Sequence, residues 1–391
     1  MKLWQKKYQL NKQIENFTVG EDYILDRKLL KYDCVSSIAH AQMLAKIGVL
    51  SQDEARQLTE ELNHVIELAG KNDFHITQEH EDCHTAIEEH LTGQFGDLGK
   101  KIHTGRSRND QVLTALRLFY KDELNACRDL LNQLQKTLAD FSAKFEEVPF
   151  PGYTHMRKAM PSSMTLWAHS FIDSLSDNEK LIEAAYQLVD QSPLGTGAGY
   201  GVPLKLDREF TAHTLGFKRV QENPIYAQNS RGKFEATILH TLTQIMFDLN
   251  KIACDLIVFS MPEFGYFELP HEFCTGSSIM PHKKNPDVFE LMRAKYHVVV
   301  SYEFQLKNIS ANLISGYNRD LQLTKEATIK SFQITQDCLS ITSLIFTGLN
   351  VNEKRCQEAM TEELFATEDV YRLVEKGVPF REAYQAISKK F

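Results

Sequence analysis

The sequence predicts an all-α fold whose centre is a bundle of five long helices. Glycine and proline interrupt helices more often than other residues do, and five stretches of 29 or more residues contain neither of them. These stretches are residues 107–148, 162–192, 233–261, 287–315 and 317–347. Because an ordinary globular helix averages about 11–12 residues, stretches of this length predict unusually long helices.

Hydrophobic periodicity supports the same fold class. Apolar residues in the third stretch recur at alternating steps of four and three, at Ile238, Leu242, Ile245, Leu249, Ile252, Leu256 and Phe259. Helices with such a heptad stripe bury it against one another at shallow crossing angles. No alternation of strands with helices is visible, which argues against a doubly wound α/β fold. The β-branched run at residues 298–300 is therefore assigned to a helix.

The same patterns divide the chain into three parts. Residues 1–103 are rich in shorter helices, residues 104–347 hold the long-helix bundle, and residues 348–391 form a small helical domain. In this last part, residues 353–363 and 367–376 are predicted to form two short helices.

Composition excludes several classes of protein. The chain has 391 residues, and 44 Lys and Arg against 52 Asp and Glu give a net charge of −8, which does not suit a nucleic-acid-binding surface. The most apolar late stretch, residues 252–261, contains Asp255 and is far shorter than the ~18 residues of a membrane span. Residues 1–17 lack the apolar run of a secretion signal, so we expect a cytoplasmic protein.

The connections between the predicted helices are rich in glycine, charge and polar groups, as expected of loops that carry function. Residues 103–110 place two arginines directly before a long helix, where guanidinium groups and free N–H groups favour a carboxylate or phosphate ligand. The alternative is a helix that is capped by Ser107 and has two solvated arginines.

Two further loops are candidates for a functional role, one with glycine and serine and the other rich in glycine. Residues 276–285 combine Ser277 with lysines that could favour its alkoxide and hold a developing oxyanion; the alternative is an exposed polar loop. Residues 193–201 lack the Lys-Ser/Thr of a phosphate-binding loop and follow no strand, so a tight turn is the better interpretation.

Two histidines lie in polar segments: His84 is in the N-terminal part, and His155 is at the predicted start of the second long helix. Taken alone, each is more often a structural or surface residue. The sequence has no C-x-x-C pair, and no metal site is predicted.

Taken together, the loops resemble one family. Residues 276–286, GSSIMPHKKNP, resemble the signature of the fumarase/aspartase lyase superfamily, Gly-Ser-Ser-x-Met-Pro-x-Lys-x-Asn. Residues 103–111, HTGRSRNDQ, resemble its argininosuccinate lyase branch, which includes the δ-crystallins of the lens, and residues 152–155 and 317–322 fit that branch too. The resemblance covers nearly the whole chain, with its motifs in the family order.

The resemblance implies a homotetramer in which five helices from each subunit form a twenty-helix core, with each active site built from three chains. It implies cofactor-free cleavage of argininosuccinate into arginine and fumarate, the last step of arginine biosynthesis. It makes Ser277 the base, assisted by Lys283, and places His155 with Glu290 on the acid side. The implied substrate-binding residues are His84, Ser107, Arg108, Asn109, Thr154 and Asn285 towards the succinyl half, and Tyr317, Gln322, Lys325 and Arg231 towards the arginine half.

The sequence departs from the family pattern at a few places. Residues 4–8 differ from the usual W-G-G-R-F, the serine expected in the N-terminal substrate loop is not evident in residues 18–22, and an Arg-Asp pair is replaced by Arg231-Gly232. A family motif at residues 377–383 lies unusually near the end, which implies a shortened C-terminal domain. Two alternatives follow: a sister lyase acting on a modified or different fumarate-releasing substrate, and a helical structural protein with a decayed site.

Overall fold

A computed structural model describes residues 11–391 of the chain. Its helices are α1 (Lys12–Val19), α2 (Asp22–Leu25), α3 (Leu30–Lys46), α4 (Gln52–Gly70), α5 (Cys83–Phe95), α6 (Asp97–Lys101), α7 (Arg108–Lys144), α8 (Met164–Val189), α9 (Arg208–Thr214), α10 (Pro224–Asn229), α11 (Lys233–Phe259), α12 (Asp287–Ile309), α13 (Thr324–Gly348), α14 (Glu353–Glu358), α15 (Ala366–Glu375) and α16 (Phe380–Ser388). The strands are β1 (Pro149–Thr154), β2 (Arg157–Ser163), β3 (Gln191–Ser192), β4 (Arg219–Val220), β5 (Phe267–Glu268) and β6 (Asn350–Val351).

The chain is mostly helical, and the five predicted long helices are confirmed as α7, α8, α11, α12 and α13. The β-branched run at residues 298–300 lies inside α12, as predicted. The fifth helix begins later than predicted, because Arg319–Leu323 forms a 3-10 helix before α13 starts at Thr324. The residues between 317 and 323 therefore belong to a connection rather than to a long helix.

A β-hairpin replaces the expected start of the second long helix. β1 and β2 pair antiparallel, with Thr154 opposite Arg157, so His155 and Met156 form the turn. The prediction that His155 begins a helix is therefore wrong. Three prolines, Pro149, Pro151 and Pro161, lie in this hairpin and disfavour a helix, because proline cannot donate a helical hydrogen bond.

The described residues group into two compact units, each built from separate stretches of the chain. The first unit contains residues up to 126 together with 181–242 and 300–333. In its core, Tyr120 stacks on Phe332 with ring centroids 6.3 Å apart. The buried Arg117 donates hydrogen bonds to Gln191 O at 2.7 Å and to Ser230 Oγ at 2.8 Å, so its charge is held by polar groups of two other elements.

The second unit contains residues 127–180, 243–299 and 334–391 and is held by an aromatic cluster. Trp167 lies 5.0 Å from Phe267 and 6.2 Å from Phe346 between ring centroids. Its indole N–H donates to Asp255 Oδ2 at 2.9 Å, which satisfies the polar end of a large apolar ring. The division of the sequence into parts 1–103, 104–347 and 348–391 stays a prediction.

The C-terminal part contains one helix more than predicted. α14 and α15 correspond to the two expected helices, although the first ends at Glu358 and a 3-10 helix, Glu362–Phe365, follows. α16 packs Ala383 and Ile387 against Val370 of α15.

Within residues 11–391, none of the helices combines the length and apolar character that a membrane crossing requires. The family opening at residues 4–8 lies outside the described residues.

Candidate active site

A pocket of about 160 Å³ in the first unit gathers many of the predicted ligand-binding residues. It lies where the starts of α5 and α7 meet the connection before α13. Its lining consists of Val19, Asp22, Glu81, Asp82, His84, Arg108, Asn109, Val112, Arg231, Tyr317, Arg319, Gln322 and Lys325. Seven of these were predicted from the sequence: His84, Arg108, Asn109, Arg231, Tyr317, Gln322 and Lys325.

Arg108 is fixed in the pocket by two carboxylates at the start of α5. Its guanidinium contacts Glu81 Oε2 at 3.3 Å and forms a hydrogen bond with Asp82. Asp82 also caps α5 by accepting from the Thr85 N–H at 2.9 Å. Burial would raise the pKa of Asp82, but the charges of His84 and Arg108 outweigh it and lower that pKa from 3.8 to about 2. The pair therefore stays ionised and holds Arg108 in one orientation.

His84 follows this cap and is 4% exposed. Its Nδ1 lies 2.9 Å from Asp33 Oδ2, while its Nε2 has no hydrogen-bond partner among the described residues. Burial alone would lower the pKa of His84, but Asp33 and Asp82 raise it above its usual value. The raised pKa favours the protonated imidazole, and a protonated imidazole with Nε2 at the wall of a pocket can donate to an anionic ligand.

Lys325 lies at the start of α13 and is buried between two carboxylates. Its Nζ is 2.7 Å from Asp26 Oδ1 and 2.8 Å from Asp22 Oδ1. Burial would lower the pKa of Lys325, but the charges of Asp26 and Asp22 raise it above its usual value. Lys325 therefore carries a permanent positive charge at the pocket wall.

Arg231 is a pocket cation that has few hydrogen-bond partners in the protein. It is 5% exposed, and Nη2 donates to Leu321 O at 3.3 Å, while Nε and Nη1 have no partner among the described residues. Its guanidinium lies 5.3 Å from the centre of the Tyr317 ring. The neighbouring Gly232 has φ +78°, and a Cβ there would overlap Ser310, so this backbone does not accept the family's aspartate.

The 3-10 helix before α13 joins the pocket to the end of α1. Arg319 donates to Thr18 O at 2.8 Å, and Gln322 donates to Thr18 O and Val19 O at 3.2 Å each. Ser107 does not line the pocket; its hydroxyl accepts from the Asn109 N–H at 3.3 Å at the start of α7. This geometry matches the helix-capping alternative for Ser107.

The signature loop lies in the second unit and is closed at its base. Thr275 and Asn285 exchange backbone hydrogen bonds of 3.0 and 2.8 Å, and Asn285 Nδ2 donates to Gly276 O at 3.2 Å. Ser277 Oγ accepts from the N–H groups of Ile279 at 3.4 Å and Met280 at 3.1 Å. The loop is mostly exposed, with Lys283 at its surface.

The remaining predicted residues also belong to the second unit. Thr154 ends β1, and His155 is exposed in the hairpin turn with φ +51°. Glu290 is exposed in the first turn of α12. The structure gives no hydrogen bond or ion pair between His155 and Glu290 in the described part of this unit, so the predicted orienting contact stays a prediction.

A possible metal cluster arises inside the first unit, where Asp26, Cys83 and His84 bring ligand atoms within 4.8 Å of one another. Asp26 is already bonded to Lys325 and accepts from the Cys83 N–H at 3.1 Å. Burial raises the pKa of the Cys83 thiol well above its usual value, and nearby carboxylates raise it further. A protonated thiol next to an ammonium group fits a hydrogen-bond network better than a cation site.

Sequence reasoning missed the acidic half of the pocket, Asp22, Glu81 and Asp82, and also missed Arg319. Glu81 and Asp82 directly precede His84, so their position in the sequence was a usable signal. For Asp22 the only signal in the sequence was that residues 18–22 lack the serine expected from the family pattern. Its role depends on Lys325, which lies some 300 residues away and cannot be paired with it by spacing.

Comparisons with known proteins agree on one family. Residues 4–301 match the model of a family described as lyase. The chain is 53% identical over 390 residues to argininosuccinate lyase of Thermotoga neapolitana, covering all of this chain and 98% of that protein. It is 43% identical to argininosuccinate lyase of Bacteroides fragilis, covering 99% of this chain and 86% of that protein. A class II fumarase from Schistosoma mansoni has the same fold, with a TM-score of 0.80, 17% identity and coverage of 96% and 91%.

Proposed function

The chain belongs to the lyase family, in its argininosuccinate lyase branch, and we propose that it cleaves argininosuccinate into arginine and fumarate. The observation that carries the proposal is the cationic pocket of a chain that is 53% identical to such a lyase over its full length. His84, Arg108, Arg231 and Lys325 surround this pocket, and a substrate with three carboxylates needs such partners.

The proposed reaction is a β-elimination. A base removes a proton from the succinyl carbon next to one carboxylate, and that carboxylate takes up the developing negative charge. The bond between the neighbouring carbon and the guanidino nitrogen then breaks, and the nitrogen takes its electron pair. An acid protonates this nitrogen, which gives arginine and leaves the carbon–carbon double bond of fumarate.

Ser277 is the proposed base. A serine hydroxyl is a weak base unless its alkoxide is stabilised, and two N–H groups already point at Ser277 Oγ from Ile279 and Met280. Lys283 lies on the same closed loop and supplies a positive charge, while Asn285 supplies an amide for the carboxylate that becomes a dianion. Hydrogen bonds between Asn285 and both Thr275 and Gly276 close the base of this loop.

On the acid side we assign His155, with Glu290 as its orienting partner and Thr154 as a carboxylate ligand. His155 stands in a turn with a left-handed backbone, a conformation that a non-glycine residue adopts at some cost. Its imidazole is exposed at the end of a two-stranded ribbon, where it is free to meet a bound ligand. Imidazole is the side chain that most often acts as a general acid in enzymes.

Substrate recognition is assigned to the pocket of the first unit. The succinyl carboxylates would be held by His84, Arg108 and Asn109, which line the pocket. Ser107, at the start of the same helix as Arg108, is proposed as a further ligand. Tyr317, Gln322, Lys325 and Arg231 would hold the carboxylate of the arginine half. The unused N–H groups of Arg231 and His84 support this division, since each leaves a buried donor for a ligand.

A homotetramer with a twenty-helix core is proposed as the assembly, with active sites completed by three chains. Several large apolar side chains on the long helices are exposed in the single chain. They are Leu166, Phe247, Leu291, Val298, Phe304, Ile341 and Leu344. Apolar surface of this extent along helices marks an interface, and burying it against other subunits would stabilise the assembly.

We place the enzyme in the cytoplasm and assign it no cofactor or metal. The elimination moves one proton and one electron pair at a time and changes no oxidation state overall. The side chains named above supply a base, an acid and charge stabilisation for each of these movements.

The direct test is to incubate the purified protein with argininosuccinate and follow the ultraviolet absorbance of fumarate. Fumarate and arginine formed in equal amounts are the expected result. A folded protein that binds argininosuccinate without releasing fumarate would favour a structural protein. Turnover of a modified substrate alone would favour a sister lyase.

A further inference from the structure

Two carboxylates are in direct contact with the single ammonium group of Lys325. Asp22 and Asp26 both contact its ammonium group, at 2.8 and 2.7 Å, so two carboxylates share one cation. Lys325 is 2% exposed and Asp26 is fully buried, while Asp22 lines the pocket. If both carboxylates are ionised, this group of three has a net charge of −1 and can accept one more cation from the pocket side.

The hydrogen bonds show which carboxylate has room for that cation. Asp26 uses both oxygens, because Oδ1 bonds to Lys325 and Oδ2 accepts from the Cys83 N–H at 3.1 Å. Asp22 bonds to Lys325 through Oδ1, and its second oxygen has no partner among the described residues. The other two pocket carboxylates, Glu81 and Asp82, are occupied by Arg108.

Building on the proposed function, we infer that Asp22 determines specificity by binding the α-ammonium group of the substrate's arginine half, next to Lys325. In an α-amino acid the ammonium and carboxylate groups are attached to one carbon. A site that recognises both therefore needs an acceptor directly beside its donors. Asp22 and Lys325 are such an adjacent acceptor and donor, and both face the same pocket.

The electrostatics of Asp22 agree with an open cation position. Burial raises the pKa of Asp22 to about 6; Lys325 opposes this rise, and the negative charge of Asp26 adds to it. A bound ammonium group would offset that repulsion and favour the ionised carboxylate. This also gives a physical meaning to the missing family serine in residues 18–22. A carboxylate binds a cation by charge as well as by a hydrogen bond, whereas a hydroxyl offers the hydrogen bond alone.

The test compares two ligands that differ only in the α-amino group, L-arginine and 5-guanidinopentanoate. Their binding is measured by titration calorimetry with the full chain and with the variant Asp22→Asn. We expect the unaltered protein to bind L-arginine about tenfold to a hundredfold more tightly, as a charged hydrogen bond contributes about 1.5–3 kcal/mol. In Asp22→Asn this preference should fall to about twofold, with little change for 5-guanidinopentanoate.

Glu21→Gln is the matched control, because Glu21 is the exposed neighbouring acid and does not line the pocket. It should keep the full preference for L-arginine. The inference is overturned if Asp22→Asn keeps the preference for L-arginine. It is also overturned if the variant lowers the affinity for both ligands equally, as a displaced Lys325 would. Should Asp22→Asn fold poorly, Asp22→Ser provides the same comparison. Failure of the proposed function has another readout, because the unaltered protein would then release no fumarate from argininosuccinate.

Discussion

The carboxylate of Asp110 accepts a hydrogen bond from the backbone N–H of Gly197, 87 residues farther along the chain, at 2.8 Å. The same oxygen accepts from the Gly195 N–H at 3.0 Å, and the other accepts from the Ser107 N–H at 2.9 Å. Gly195 and Gly197 both have positive φ, which glycine adopts without strain. The glycine-rich segment is therefore a tight turn, as predicted, and it is fixed to the start of α7.

Replacing Asp110 with alanine should destabilise the first unit. The buried N–H groups of Gly195 and Gly197 and the half-buried N–H of Ser107 would lose their acceptor. Each unsatisfied buried group costs about 1–3 kcal/mol, so we expect a loss of at least about 2 kcal/mol in the free energy of unfolding. Urea denaturation measures this change. Asp129→Ala, an exposed site on the same helix, should stay within about 0.5 kcal/mol. Equal stability of the two variants would contradict the role given to Asp110.

The long helices were predictable because their cause is local. Heptad spacing and the absence of glycine and proline act within each stretch, and α11 and α12 appear where the sequence placed them. The hairpin of β1 and β2 was not predictable in the same way. Its turn is His155-Met156 instead of the usual Asn-Gly, and its strands contain prolines, so neither the turn nor the strand signal was present.

The site residues also differ in whether a local sequence pattern identifies them. Residues in recognisable loop motifs, such as Arg108 and Tyr317, could be named from the sequence and do line the pocket. Asp22 could not, because its significance comes from an ion pair with Lys325 that only the tertiary fold creates. Ser107 has the contacts of a helix cap, and its predicted part in substrate binding stays a prediction.

Acid should weaken the fold through Asp82. Its pKa is lowered from 3.8 to about 2 in the folded chain, so its contribution is present above 3.8 and is lost as the pH falls towards 2. A shift of this size corresponds to about 2 kcal/mol. The difference in free energy of unfolding between the unaltered protein and Asp82→Asn should therefore shrink over this range. Urea titrations between neutral and acidic pH measure it, and a constant difference would count against the ion pair with Arg108.

The hairpin turn should show a conflict between stability and activity. His155 and Met156 have φ of +51° and +59°, and left-handed backbone costs a non-glycine residue about 1–2 kcal/mol. Met156→Gly should therefore raise the melting temperature while activity is kept. His155→Gly should raise it too, but should slow fumarate release about a hundredfold, since a general acid is lost. An active His155→Gly would remove His155 from the acid side.

Assembly should depend on the exposed apolar residues of α12. Phe304 is 71% exposed in the single chain, and the proposed tetramer would bury it. Phe304→Asp would place a charge in that interface, so we expect smaller species in light scattering coupled to size-exclusion chromatography. Asn63→Asp, on the exposed face of α4, is the control and should leave the mass unchanged. A tetrameric Phe304→Asp would exclude this face from the interface.

Two neighbouring serines in the signature loop separate catalysis from loop structure. Ser277 Oγ accepts N–H hydrogen bonds from Ile279 and Met280, whereas Ser278 is exposed. If Ser277 is the base, Ser277→Ala should lower kcat about a thousandfold and leave the binding of argininosuccinate nearly unchanged, since the base acts on a proton that moves only during reaction. Ser278→Ala removes a hydroxyl from the same loop without touching the base and should retain most of the activity. Equal loss in both variants would mean that the hydroxyls shape the loop, and comparable activity in Ser277→Ala would assign the proton transfer to another group.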